Sequence, residues 1–157
     1  MNQTCDCRVL WVDDSPRELR YIDLNGLNRI NIDYASNLDV AIHKLSTNDY
    51  QLIITDMIMN GSDTYTLSGY SHKFDLSDIC QGEILIELIR NGEIGKDIGK
   101  SYIQSIPIII YTVMLDLNLL KSYNNIYIRT KRDVFNSNSQ QYFIDTINTL
   151  CKNDNTT

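Results

Sequence analysis

A chain of 157 residues, 43% of them hydrophobic, can bury one real core but is too short for two comfortable ones, so a single domain spanning 1–157 is expected. Its formal net charge of −6 argues against nucleic acid or an anionic membrane surface as partner, since both reward clustered Lys and Arg. No stretch approaches the length of a membrane-spanning helix, which leaves a small ligand or another protein as the expected partner.

The start, Met1-Asn2-Gln3-Thr4, is polar and unlike a signal peptide, so a cytoplasmic protein is expected. The first hydrophobic run, Val9-Leu10-Trp11-Val12, ends in Asp13-Asp14. Ser15-Pro16-Arg17-Glu18 then combines a capping serine, a proline at the first helical position and a glutamate three residues after the cap, which predicts a helix start. Residues 31–35, Asn-Ile-Asp-Tyr-Ala, supply a short edge strand. Leu38, Ala41, Ile42 and Leu45 follow the candidate caps Ser36 and Asn37 at helical spacing, with His43 on the polar face.

The second run, Leu52-Ile53-Ile54-Thr55, ends in Asp56. A third helix is expected over Ile84–Ile89, with Leu85, Leu88 and Ile89 buried and Arg90-Asn91-Gly92 as its end. Ile108-Ile109-Ile110-Tyr111 leads into Thr112, a weaker helical pattern runs from about Leu115 to Tyr123, and Ile126-Tyr127-Ile128 is followed closely by Lys131. The last helix carries Phe143, Ile144, Ile147, Leu150 and Cys151 on one face, which makes Cys151 a core thiol. The four cysteines, Cys5, Cys7, Cys80 and Cys151, contain no CxxC pair and have only His43 and His72 to assist them, so they read as reduced, mostly structural thiols rather than a zinc site. The tail, Asn153 to Thr157, is polar and suits a frayed end.

The strand runs are continuous rather than alternating, as in a parallel sheet covered by helices on both faces, and the repeated βα order makes a doubly wound sandwich the natural solution. Residues 60–81 and 91–105 exceed the usual connection of two to six residues and read as insertions. The first begins beside Asp56, where it would be either a lid or docking surface, or a tolerated excursion. In an open parallel sheet the carboxyl ends of the strands share one edge, so Asp13, Asp14, Asp56, Thr112 and Lys131 would converge there. A carboxylate can attack a phosphoryl group if a hard cation screens both charges, and magnesium does so with oxygen ligands. The plainer alternatives are a helix-capping turn for Asp13-Asp14, a strand-ending turn for Asp56, and an ordinary solvated base for Arg129 or Lys131.

With these residues in this order and the capped helix after the acidic pair, the chain resembles the receiver domain of two-component response regulators, over nearly its whole length apart from the two insertions. The resemblance implies a flavodoxin-like, doubly wound, five-stranded parallel sheet of order 2-1-3-4-5. It implies Mg2+ held by Asp13, Asp14, Asp56 and the backbone carbonyl of Ile58, with Asp56 as phosphoacceptor and Thr112 and Lys131 binding the phosphoryl oxygens. Ile58 and Met114 hold the positions that flank the path of hydrolytic water; both are apolar, so a long-lived phosphorylated form is expected. The sequence departs from the family in three places: Arg132 follows Lys131 where proline is usual, Asn60 replaces a proline after Asp56, and Ile128, beside Tyr127, stands where the family has a switching aromatic.

The implied function is that of a phosphorelay receiver rather than a dedicated enzyme. A histidine kinase or phosphotransfer protein would donate the phosphoryl group, and a downstream protein would read the result, by contact, by competition for phosphate or through a homodimer. The alternatives are a receiver-like interaction module independent of phosphorylation and a Mg-dependent phosphohydrolase. The second lacks an acid or base at Ile58.

Overall fold

A computed structural model describes residues 7–14, 26–27, 29–57, 81–112, 123–130 and 137–153. The elements in chain order are strand β1 (Cys7–Val12), β2 (Ile30–Ala35), helix α1 (Leu38–Thr47), β3 (Leu52–Thr55), α2 (Gln81–Arg90), α3 (Glu93–Ile98), a 3-10 helix (Ser101–Ser105), β4 (Ile108–Thr112), β5 (Ile126–Thr130) and α4 (Ser137–Asn153). All neighbouring strands are parallel, in the order β2-β1-β3-β4-β5. This is the flavodoxin-like arrangement that the resemblance implies.

The unbroken apolar runs are explained by burial on both faces of the sheet. Leu10, Val12, Ile53, Ile108 and Ile110 pack with α1, α2 and Ile94 of α3. Their alternates, Val9, Trp11, Leu52, Ile54, Ile109 and Tyr111, pack against Phe143, Ile147 and Leu150 of α4. Stripping either cover from β1, β3 and β4 would expose these largely aliphatic and aromatic faces to water, at about 1.5–3 kcal/mol per large side chain.

Local chemistry sets the helix ends. Of the two candidate caps before α1, Asn37 is the one used: its side-chain oxygen accepts from the Val40 N–H at 2.9 Å. His43 is exposed, as its place on the polar face predicts. At the end of α2, Gly92 adopts φ +79°, a left-handed conformation that a side chain would strain, and its N–H donates to the Ile89 carbonyl at 3.1 Å. All of Ile84, Leu85, Ile86, Leu88 and Ile89 are buried, a wider stripe than the sequence pattern alone requires, because α2 is covered by α1, α3 and the 3-10 helix as well as by the sheet. The helix expected from Ser15 and most of that expected over 115–123 lie outside the described residues.

Residues 91–105 are folded rather than a bare surface loop. Gly92 starts α3 directly, and Ile94, Ile103 and the adjacent Ile106 enter the core. Two cations fasten the segment. Lys100 Nζ donates to the carbonyls of Leu45 (2.9 Å) and Asn48 (2.8 Å) at the end of α1 and pairs with Asp49 at 3.0 Å. The half-buried Arg90 guanidinium donates to the carbonyls of Gln104, Ile106, Asn124 and Asn125 at 2.7–3.2 Å. Ile106 and Asn125 lie just before β4 and β5, so this segment sits at the amino-terminal edge of the sheet.

The expectation that the cysteines are reduced needs one correction. Cys7 and Cys151 form a disulfide, with Cα atoms 5.6 Å apart, joining the start of β1 to the end of α4. The sequence placed Cys151 correctly in the core, but its partner lies 144 residues away and becomes a neighbour only when α4 packs on the sheet.

Candidate functional site

Strand register brings the acidic residues together. Val12 pairs with Thr55 across β1 and β3, and the Asp56 N–H donates to the Val12 carbonyl at 3.0 Å. The Asp13 N–H donates to the Ala35 carbonyl at 2.9 Å, which continues the ladder to β2 by one residue. Asp13, Asp14 and Asp56 therefore leave the sheet together, and one carboxylate oxygen from each lies within 4.8 Å of the others. Asp13 and Asp56 are buried and Asp14 is partly so. Three like charges so close repel strongly in a partly buried setting, and a divalent cation is the natural counter-charge for an all-oxygen donor set. The residues fit a magnesium ion.

Asp56 is held on both sides. Its Oδ1 accepts from the following Met57 N–H at 2.7 Å, and its carbonyl oxygen accepts from the Thr55 hydroxyl at 2.9 Å. Thr112 closes β4, fully buried and paired in register with Thr130 of β5. Alternation along β4 gives Thr112 the face of Ile108 and Ile110 and gives Tyr111 the opposite one. Ile58, Met114 and Lys131 lie outside the described residues.

The end of β5 separates two expectations. Arg129 is not an ordinary solvated base: its Nε and one terminal nitrogen both donate to Thr146 Oγ1 of α4, at 3.1 and 2.9 Å, and its guanidinium lies 4.1 Å from the Tyr142 ring centroid. It is a strut between strand and helix. Ile110 pairs with Ile128, so the position three before Lys131 is aliphatic without any slip in register. Tyr127 faces the other way, against the α4-side core, and its hydroxyl donates to Asn125 Oδ1 at 3.1 Å.

One neighbour of the acids was not singled out in the sequence. Gly82, in the first turn of α2, lies against the backbone of Asp56 and Met57, and its N–H donates to the Met57 carbonyl at 3.1 Å. Its signal is an isolated glycine in the first turn of a helix, a position that costs stability relative to alanine unless packing requires it.

No family model matches the chain, and no curated protein matches it. Solved structures do. The receiver domain of a Francisella response regulator is 21% identical, with a TM-score of 0.58 over 94% of this chain and 98% of its own. A two-component response regulator from Clostridium difficile is 20% identical, with a TM-score of 0.58 over 96% and 99%. The response regulator TrrA from Thermotoga maritima, solved in complex with Mg(2+)-BeF, is 21% identical, with a TM-score of 0.56 over 92% and 98%. Sheet order, the acidic edge and these likenesses agree: the chain has the fold of the response regulator receiver domain.

Proposed function

We propose that the chain is a phosphorelay receiver that accepts a phosphoryl group on Asp56. The observation that carries this reading is the convergence of three carboxylates within 4.8 Å at the carboxyl edge of a parallel sheet whose next strand ends in Thr112. Asp13, Asp14, Asp56 and the Ile58 carbonyl would hold magnesium, which when bound offsets the charge of the carboxylates and the incoming phosphoryl oxygens. The Asp56 carboxylate attacks phosphorus as the bond from phosphorus to the donor breaks, giving an acyl phosphate and a free donor group. The Met57 N–H fixes the carboxylate's orientation through Oδ1. Lys131 pairs with the phosphoryl oxygens, and the Thr112 hydroxyl donates to one of them, biasing the loop after β4 toward a second state.

Ile58 and Met114 cannot orient an attacking water, so the acyl phosphate is long-lived. The donor is a cytosolic histidine kinase or phosphotransfer protein, and a downstream protein reads the altered surface. The experiment is to incubate purified protein with magnesium and acetyl phosphate and follow intact mass beside an Asp56→Asn control. A magnesium-dependent adduct absent from the control is expected. No adduct on the wild type would sink the reading in favour of a phosphorylation-independent module.

A further inference from the structure

Resting on that reading of the acid site, we infer that Gly82 is a positioning residue for Asp56, and that the first turn of α2 is the backstop against which the acceptor is set. A Cβ at residue 82 would stand 2.0 Å from the Asp56 carbonyl oxygen, 2.7 Å from Met57 Cα and 2.9 Å from the Asp56 carbonyl carbon. Ordinary contact begins near 3.4 Å, and all three obstacles are backbone, so no side-chain rotation relieves them. Gly82 has no positive φ; hydrogen in place of Cβ is needed for close approach.

The contact acts on the nucleophile through one peptide. The Asp56–Met57 unit presents its carbonyl side to Gly82 and its N–H to Asp56 Oδ1. The Gly82 N–H ties the next carbonyl, that of Met57, to the helix. Shifting this peptide shifts the carboxylate that shares it, and with it one of the three metal-ligating positions. Any side chain at 82 displaces the peptide by on the order of 1 Å, a misplacement that costs about a hundredfold in a positioned reaction.

A second glycine supplies the control. In α3 a Cβ on Gly95 would stand 2.8 Å from the Lys100 carbonyl oxygen, also backbone, but at the opposite edge of the sheet. Gly82→Ala and Gly95→Ala should both lower the melting temperature. Only Gly82→Ala should weaken magnesium binding, read from the fluorescence of Trp11 two residues before Asp13, and slow acetyl-phosphate labelling by about a hundredfold per folded molecule. Equal magnesium affinity and labelling in Gly82→Ala and wild type, or equal losses in the two variants, would overturn the inference. If Gly82→Ala does not fold, hydrogen exchange on the wild type decides: magnesium alone should protect the Gly82 amide and not that of Gly95, and no such difference would overturn it. A wild type that binds magnesium but takes no phosphoryl group would refute the acceptor reading, while weaker binding in Gly82→Ala would still support the positioning role.

Discussion

Arg129 and Lys131 stand two residues apart; the resemblance assigns Lys131 to the phosphoryl oxygens, while the plainer alternative makes either an ordinary solvated base. The structure gives Arg129 its own work, two hydrogen bonds to Thr146 and a cation–π contact with Tyr142. Arg129→Ala should therefore lower unfolding free energy by about 1–2 kcal/mol in urea titration while leaving the yield of phosphoryl adduct unchanged. Lys131→Ala should show the reverse, near-native stability with poor labelling. If Arg129→Ala lost the adduct and Lys131→Ala kept it, the roles would be exchanged. At the same scale, Ile128 pairs with Ile110, and Tyr127 lies on the opposite face of β5, against the α4-side core.

Among the elements, α4 is fastened at its middle and at its last turn. Arg129 braces Thr146 in its middle turns, and the Cys7–Cys151 disulfide ties its last turn to β1. Closing a loop with a sequence separation of 144 stabilises by up to about 5 kcal/mol on the chain-entropy account. Dithiothreitol should lower the denaturation midpoint of the wild type, whereas Cys151→Ser should start from the lower midpoint and not respond. In α2, burial and then the neighbouring Glu87 carboxylate raise the Glu83 carboxyl above its ordinary 4.5. A raised acid resists its charged form in the folded chain, so Glu83 opposes folding above that raised value. The penalty fades as pH falls through it and is gone below the ordinary value. Glu83→Gln should thus raise the urea midpoint near pH 7 and leave it unchanged below about pH 4.

For the whole molecule, the acid cluster should link metal binding to stability. Without a cation, three clustered carboxylates oppose folding; with one they become its ligands. Magnesium at about a hundred times its Kd should raise the melting temperature by roughly 5–10 °C, read by thermal denaturation with and without chelator. Asp13→Asn should raise the melting temperature of the metal-free protein and abolish the magnesium response. A wild type indifferent to magnesium would show that the cluster is not a metal site. Of the two long connections, residues 60–80 lie outside the described residues. Residues 91–105 are anchored by Arg90 and Lys100 at the edge away from the acids, and so belong to the scaffold.

By itself the sequence determined the strands, most helix faces and the residues at the acidic edge. Continuous apolar runs require burial on both faces, helical stripes require a sheet to lie on, and Asp13, Asp14 and Asp56 end their runs as local chain properties. Two mismatches have a common cause. Residues 91–105 read as an insertion because their aliphatic residues, Ile94, Ile98 and Ile103, are too sparse to show a period, yet all three pack on the core formed with α1 and α2. Cys7 and Cys151 give no spacing signal because their encounter depends on packing. Only the tertiary structure decided these contacts, the commitment of Arg129 to α4 and the seat of Gly82 on Asp56, because each joins residues whose proximity follows from strand order and helix docking rather than from local propensity.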